Sequence, residues 1–207
     1  MPLPFPSAPF EPLLRIVESA AEARIDWIQI REKDLSGGEC AALVHQALRR
    51  TAQYSPESAT TTRILVNDRL DVALAEQAGG VHLAENSIFL EDAKRMVATQ
   101  AASAHFLVGV SCHSLEAAIC AARDGADYLI FGPVFPTPSK VIYGPSQGPN
   151  SLAAVCRSVS IPVLAIGGIT LENAASCLSA GAAGIAAIRL FQHAANLPSL
   201  VKNLHGL

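Results

Sequence analysis

Charged and polar residues gather just past short apolar runs, where they could grip and polarise an anionic substrate. Trp27 to Ile30 is followed by Arg31-Glu32-Lys33-Asp34, Arg63 to Val66 by Asn67-Asp68-Arg69, and Gly80 to Leu83 by Ala84-Glu85-Asn86-Ser87. Phe106 to Val110 ends in Ser111-Cys112-His113, and Tyr128 to Phe131 runs into Gly132-Pro133-Val134-Phe135-Pro136-Thr137-Pro138-Ser139-Lys140. Arg31 and Lys33 stand at alternating positions, which on an extended chain share one side; the plain alternative is a solvated charged loop. Asn67 and Asp68 offer hard oxygen donors of the kind that suits Mg2+ on a diphosphate, while Asp68 also suits the N-cap of a helix beginning near Leu70. The ring of His113 can exchange protons near neutral pH; beside a capping Ser111 or Ser114 it would be a polar rim residue only. Lys140 lies in a loop long enough to fold over a cleft and hold a leaving phosphate, or is an ordinary exposed lysine.

The segment Ile161-Pro-Val-Leu-Ala-Ile-Gly-Gly-Ile-Thr170, followed by Gly184-Ile-Ala-Ala-Ile-Arg189, carries a pattern suited to an anion. Glycines after a strand let backbone N–H groups approach a phosphate, and the Arg189 guanidinium matches phosphate geometry bidentately. The same Gly167-Gly168 turn also serves as a simple helix cap.

The elements that must position these groups alternate along the chain. Runs rich in β-branched residues at Trp27 to Ile30, Arg63 to Val66, Gly80 to Leu83, Phe106 to Val110, Tyr128 to Phe131, Pro162 to Ile166 and Ile185 to Ile188 read as strands. Between them Ala- and Leu-rich stretches such as Leu70 to Ala78, Leu115 to Arg123 and Leu171 to Ala180 repeat with helical periodicity. Nearly continuous apolar strands are buried on both faces, as in a parallel sheet wrapped by helices. The fold expected is α/β, a (βα)8 TIM barrel forming one domain over residues 1–207, with its first strand vestigial or missing. Only seven strands are legible, and either Leu3 to Phe5 supplies the eighth, ahead of a helix at about Phe10 to Ala23, or the barrel has an open seam. A weak repeat at Ala23-Arg24-Ile25-Asp26, Ala78-Gly79-Gly80, Gly125-Ala126-Asp127 and Gly181-Ala182-Ala183-Gly184, spaced about 50 residues apart, marks helix ends. Its glycines are expected as left-handed C-caps. In such barrels the reactive groups sit at the C-terminal ends of the strands, where all the segments above fall.

The composition narrows the function. With 15 basic and 18 acidic residues mixed along the chain and a formal charge of -3, no polycationic face is available to neutralise a nucleic-acid backbone. No apolar run reaches the roughly 20 residues that span a bilayer, and Met1 to Phe10, with its four prolines, lacks the pattern of a signal peptide. The cysteines Cys40, Cys112, Cys120, Cys156 and Cys177 form an odd set without a C-x-x-C pair. They read as reduced core residues of a cytoplasmic protein. The expected partners are small phosphorylated substrates, with neither nucleic acid nor membrane; a homodimer is expected on fold analogy alone.

Taken together the segments resemble the thiamine phosphate synthase superfamily, which includes the TenI-like thiazole tautomerases. The resemblance runs through Gln29-Ile-Arg-Glu-Lys-Asp34, Val66-Asn-Asp-Arg-Leu-Asp-Val-Ala-Leu74, Gly80-Val-His-Leu83, Gly109-Val-Ser-Cys-His-Ser-Leu-Glu116, Gly125-Ala-Asp-Tyr128, Gly132-Pro-Val-Phe-Pro-Thr-Pro-Ser-Lys140 and Ala165-Ile-Gly-Gly-Ile169. It implies a synthase that joins hydroxymethylpyrimidine diphosphate to thiazole phosphate with Mg2+ as cofactor. Gln29, Arg31, Lys33, Asn67, Ser111 and Lys140 then contact the pyrimidine diphosphate, and Asp68 binds the metal. Thr137, Ser139, Gly168, Ile188 and Arg189 hold the thiazole phosphate. Two departures stand out. Ser87 occupies a position where synthases usually carry a second metal-binding aspartate, and Glu85 could compensate if that segment stays extended; Arg189 stands where synthases usually have serine. These departures lean toward a tautomerase, which needs no cofactor and would use His113 as acid and base. A third reading is a non-catalytic thiazole phosphate binder.

Overall fold

A computed structural model describes residues 10–54, 62–85, 87–99, 105–137 and 146–207. Among them seven strands form one wholly parallel sheet in sequence order: β1 (Trp27–Ile30), β2 (Arg63–Asn67), β3 (Gly80–Leu83), β4 (Leu107–Cys112), β5 (Tyr128–Phe131), β6 (Val163–Ile166) and β7 (Gly184–Ala186). Helices α1 (Glu11–Glu22), α2 (Gly37–Ala52), α3 (Leu70–Ala75), α4 (Leu90–Ala98), α5 (Leu115–Arg123), α6 (Gly148–Ser158), α7 (Leu171–Ser179), α8 (Arg189–Gln192) and α9 (Leu197–His205) complete the order. This is the TIM-barrel architecture, with β1 paired only to β2, β7 only to β6, and the two not paired with each other among the described residues. The expected contribution of Leu3 to Phe5 lies outside the described residues. Across the seam α1 packs against α9, and Asp26 meets His205 at 3.4 Å.

Local sequence explains where the helices begin. Ser36 caps α2 and Thr170 caps α7 in reciprocal pairs with Glu39 and Asn173, satisfying backbone donors that a helix start leaves open. Ser114, not Ser111, caps α5 by accepting from Ala117 N–H, which leaves Ser111 on β4 for other work. In α1 the buried positions Leu14, Val17, Ala20 and Ala21 form one stripe. Arg50 of α2 ties back to Glu11 at 2.7 Å and to Glu18 at 3.3 Å.

Apolar packing forms two outer territories and one inner one. Helices α1 to α4 bury Leu14, Leu43, Val72 and Val97 against Ile64, Val66, Val81 and Val108. On the other side, Leu152, Val155, Ala174 and Cys177 pack on Leu129, Phe131, Val163 and Ala165. Inside the curl, Leu65, Tyr128 and Ile130 meet Trp27, Leu107, Leu164, Ile166 and Ala186. Because strand side chains alternate, Gln29 shares a face with Trp27, Asn67 with Leu65, and Ser111 with Leu107; polar groups thus stand above an apolar floor at the C-terminal mouth.

Several expectations need correction. Of the repeat glycines, Gly125 and Gly181 adopt φ of 95° and 98°, but in the first copy Arg24 takes the left-handed turn, at 63°, and at the second it is Gln77, the residue just before Ala78, at 54°. Gly80 is required by closeness instead, since a Cβ there would sit 2.3 Å from the Leu107 carbonyl oxygen. The last strand is shorter than Ile185 to Ile188, and Arg189 opens a short helix rather than ending a strand. All five cysteines are free, yet Cys120 is exposed rather than in the core. Among the described residues no helix is long and apolar enough to cross a membrane.

Candidate active site

The tips of β1, β2 and β3 are joined by side-chain hydrogen bonds. Gln29 Nε2 donates to Asn67 Oδ1 at 2.8 Å, and Asn67 Nδ2 donates to Asp68 Oδ2 at 3.0 Å. Asp68 Oδ1 in turn accepts from Ala84 N–H at 2.8 Å, while the Asp68 N–H donates to the His82 carbonyl at 2.9 Å. The Asp68 backbone holds φ at 57°, a left-handed conformation that Asp tolerates better than most residues. Its carboxylate therefore does not cap α3, whose N-cap Arg69 has no side-chain cap bond.

Arg31 and Lys33 are exposed just beyond β1. The strand ends at Ile30 and Lys33 falls in a turn, so strand alternation does not set their direction. Neither makes an ion pair with the described residues. The segment after β3 likewise does not stay extended: Ser87 N–H turns back to the Ala84 carbonyl at 3.0 Å, so Glu85 and Ser87 do not line one side of a straight chain. Among the described residues no three His, Cys, Asp or Glu side chains converge as a ready-made metal cage. A site of one or two carboxylates completed by substrate phosphates is what Mg2+ ordinarily uses. Asp68 fits that pattern, since each carboxylate oxygen keeps acceptor capacity beyond the bond it already makes.

His113 follows β4. Its Nδ1 lies 2.5 Å from the Gly132 carbonyl oxygen, which can only accept, so Nδ1 carries the proton of the neutral ring and Nε2 keeps the lone pair. Nε2 faces Glu85 Oε2 at 4.0 Å.

On the opposite rim, Arg189 donates through Nη2 to Thr137 Oγ1 at 3.0 Å. Gly168, with φ of 64°, packs so closely on the segment before Thr137 that a Cβ would come within 2.6 Å of the Pro136 carbonyl oxygen. Gly168, Thr137 and Arg189 are thus brought to one place, with Ile188 exposed beside them. Ser139 and Lys140 lie outside the described residues.

Two residues missed by sequence reasoning lie buried inside the curl, beneath the mouth. His82 is 3% exposed and Tyr128 1%; His82 Nδ1 lies 3.1 Å from Tyr128 Oη, and its Nε2 lies 2.8 Å from Ser111 Oγ. The pairing register explains the meeting. His82 and Tyr128 flank Gly109 from both sides, and with no side chain there the tyrosine ring lies across the gap. The signal was a His and a Tyr at inward positions around a Gly, legible only once register is known. Burial lowers the His82 pKa to about 4, against the opposing pull of Asp68, and raises that of Tyr128. From an unfolded value near 6.5, acidification protonates His82 in the unfolded chain first. Stability from this group is therefore complete above pH 6.5 and is lost as pH falls toward 4, by about 3 kcal/mol. NMR titration is expected to find His82 neutral at pH 5, with urea unfolding free energy falling across that window; a ring that titrates near 6.5 contradicts this.

The thiamine monophosphate synthase family matches residues 6–191. The thiamine-phosphate synthase of Methanocella arvoryzae is 40% identical over 192 residues, spanning 93% of this chain and 85% of that protein. That of Methanospirillum hungatei is 39% identical over 175 residues, 84% and 80% of the two chains. Among solved structures, thiamine phosphate pyrophosphorylase from Pyrococcus furiosus superposes with a TM-score of 0.80 at 32% identity, covering 96% of this chain and 90% of that one. A 3-hexulose-6-phosphate synthase, at 18% identity and a TM-score of 0.66 over 95% and 93% of the two chains, shares the fold alone.

Proposed function

The chain belongs to the thiamine monophosphate synthase family, and on that footing we propose that it joins hydroxymethylpyrimidine diphosphate to a thiazole phosphate, releasing diphosphate. The observation that carries the reading is the bonded rim Gln29, Asn67 and Asp68, with the cations Arg31 and Lys33 exposed just beyond β1 and without an ion pair among the described residues. As the diphosphate departs, negative charge grows on its oxygens while positive charge grows on the pyrimidine methylene carbon. Arg31, Lys33 and the Ser111 hydroxyl serve the first by charge and hydrogen bonding, with Lys140 proposed alongside them. Mg2+, held by Asp68 with Glu85 and Ser87 nearby, would neutralise further charge on the leaving group. Gln29 and Asn67 orient the pyrimidine diphosphate. Arg189, Thr137, Ser139 and the backbone at Gly168 and Ile188 hold the thiazole phosphate on the far rim, so the two substrates approach from opposite sides. The partners are then small phosphorylated molecules, and the free cysteines suit the reducing cytoplasm.

Incubating the protein with both substrates and Mg2+ is expected to yield thiamine phosphate and diphosphate, with formation suppressed by chelation. No product under saturating substrates overturns the reading.

A specific observation favours a second activity. With Nδ1 held by the Gly132 carbonyl, His113 Nε2 is positioned as a base at the mouth beside Glu85. That arrangement suits moving a proton on a thiazole carboxylate phosphate without a metal. Conversion of that tautomer that survives chelation and fails in His113→Ala identifies it.

A further inference from the structure

Two hydroxyls meet the ring of His82 inside the barrel, and the proton order among them is fixed by what Tyr128 can reach. A neutral imidazole has one N–H and one lone pair. In one order, Tyr128 O–H donates to Nδ1, and Nε2–H donates to Ser111 Oγ. The Ser111 proton is then free to point away from His82. In the other order, Nδ1–H donates to the tyrosine oxygen and Ser111 spends its proton on Nε2, presenting only lone pairs outward. The two orders are not equal in cost. Tyr128 is 1% exposed, and His82 is its only hydrogen-bond partner among the described residues. The second order would strand the tyrosine proton in an apolar chamber formed with Leu65 and Ile130, where an unsatisfied donor is penalised.

We infer that Tyr128 is a positioning residue: through His82 it sets Ser111 as a hydrogen-bond donor toward the mouth, where a diphosphate oxygen accepts. A serine in the other order would present oxygen to an anion. The relay thus selects the charge of what binds over β4, although Tyr128 never touches ligand. This rests on the proposed diphosphate reading for its biological ligand, but not for its proton order.

The test separates the two. In the free protein, 15N NMR of His82 is expected to show Nε2 protonated and Nδ1 as acceptor, and Tyr128→Phe, which keeps the ring, is expected to erode that preference. Binding of inorganic diphosphate with Mg2+ should weaken about tenfold in Ser111→Ala and about three- to tenfold in Tyr128→Phe. The double variant should be no weaker than Ser111→Ala alone, because both changes remove one donor. A wild-type His82 protonated on Nδ1 overturns the inference, as do additive losses in the double variant. Should the expected tautomer and coupling be found in a protein that makes no thiamine phosphate, the relay stands and the substrate reading falls.

Discussion

Asp68→Asn is expected to lower kcat/KM for thiamine phosphate formation by about 10²- to 10³-fold while leaving most of the stability in place. Asparagine tolerates the left-handed backbone held at φ 57° and can still accept from Ala84 N–H through its amide oxygen. What it removes is the charge. It also sets its own amide nitrogen against Asn67 Nδ2, a donor facing a donor, at a cost of about 1 kcal/mol. Asp68→Ala is a poorer probe, since it strains the turn and strips Ala84 of its acceptor together with the charge. The decisive measurement is diphosphate release across a Mg2+ titration. If Asp68→Asn works within threefold of wild type at every Mg2+ concentration, the carboxylate has no part in metal or leaving-group chemistry.

The second large effect is on stability. In Gly109→Ala the added Cβ would fall 2.0 Å from Tyr128 Cζ. The ring cannot easily yield, because its edge meets Trp27 at a centroid distance of 4.8 Å and its other neighbour is His82. Overpacking of this kind costs about 3 kcal/mol, which for a domain of this size lowers Tm by roughly 6–12 °C. Tyr128→Ala alone leaves a cavity, and the two changes share the same space. The double variant should therefore be less destabilised than the sum of the singles. Thermal unfolding of the three variants decides it, since strict additivity means the methyl and the ring do not collide.

How far the chain could be read depended on what each residue's role requires. Trp27–Ile30, Gly80–Leu83 and Tyr128–Phe131 were legible to the residue as strands because burial in the sheet keeps such segments mostly apolar, Gln29 and His82 being the polar exceptions. The ends of β7 and α3 were not, since three or six residues carry too little periodicity to mark a boundary. Arg24 and Gln77 escaped notice as helix stops because glycine is the usual sign of a left-handed turn; the first copy has none, and beside Gln77 the glycines Gly79 and Gly80 drew the expectation away from the residue that makes the turn. Asp68 looked equally suited to a cap or a site; only the distance to Ala84 N–H, a contact sixteen positions along the chain, separates the two. His82 and Tyr128 lay hidden for a related reason. Within a strand they pass for half-buried rings, and their meeting depends on register across Gly109.

The linked tips of β1 to β3 have a consequence for how ligand is captured. Gln29, Asn67 and Asp68 hold one another in place before anything arrives, so little rotamer freedom is left to surrender there on binding. Arg31 and Lys33, exposed and without ion-pair partners among the described residues, must still be ordered, but their unpaired charge reaches into solvent and speeds encounter with an anion. The rim thereby divides its labour. Loose cations govern how fast the anion arrives and make that rate sensitive to salt, while the rigid amides govern how long a correctly shaped one remains.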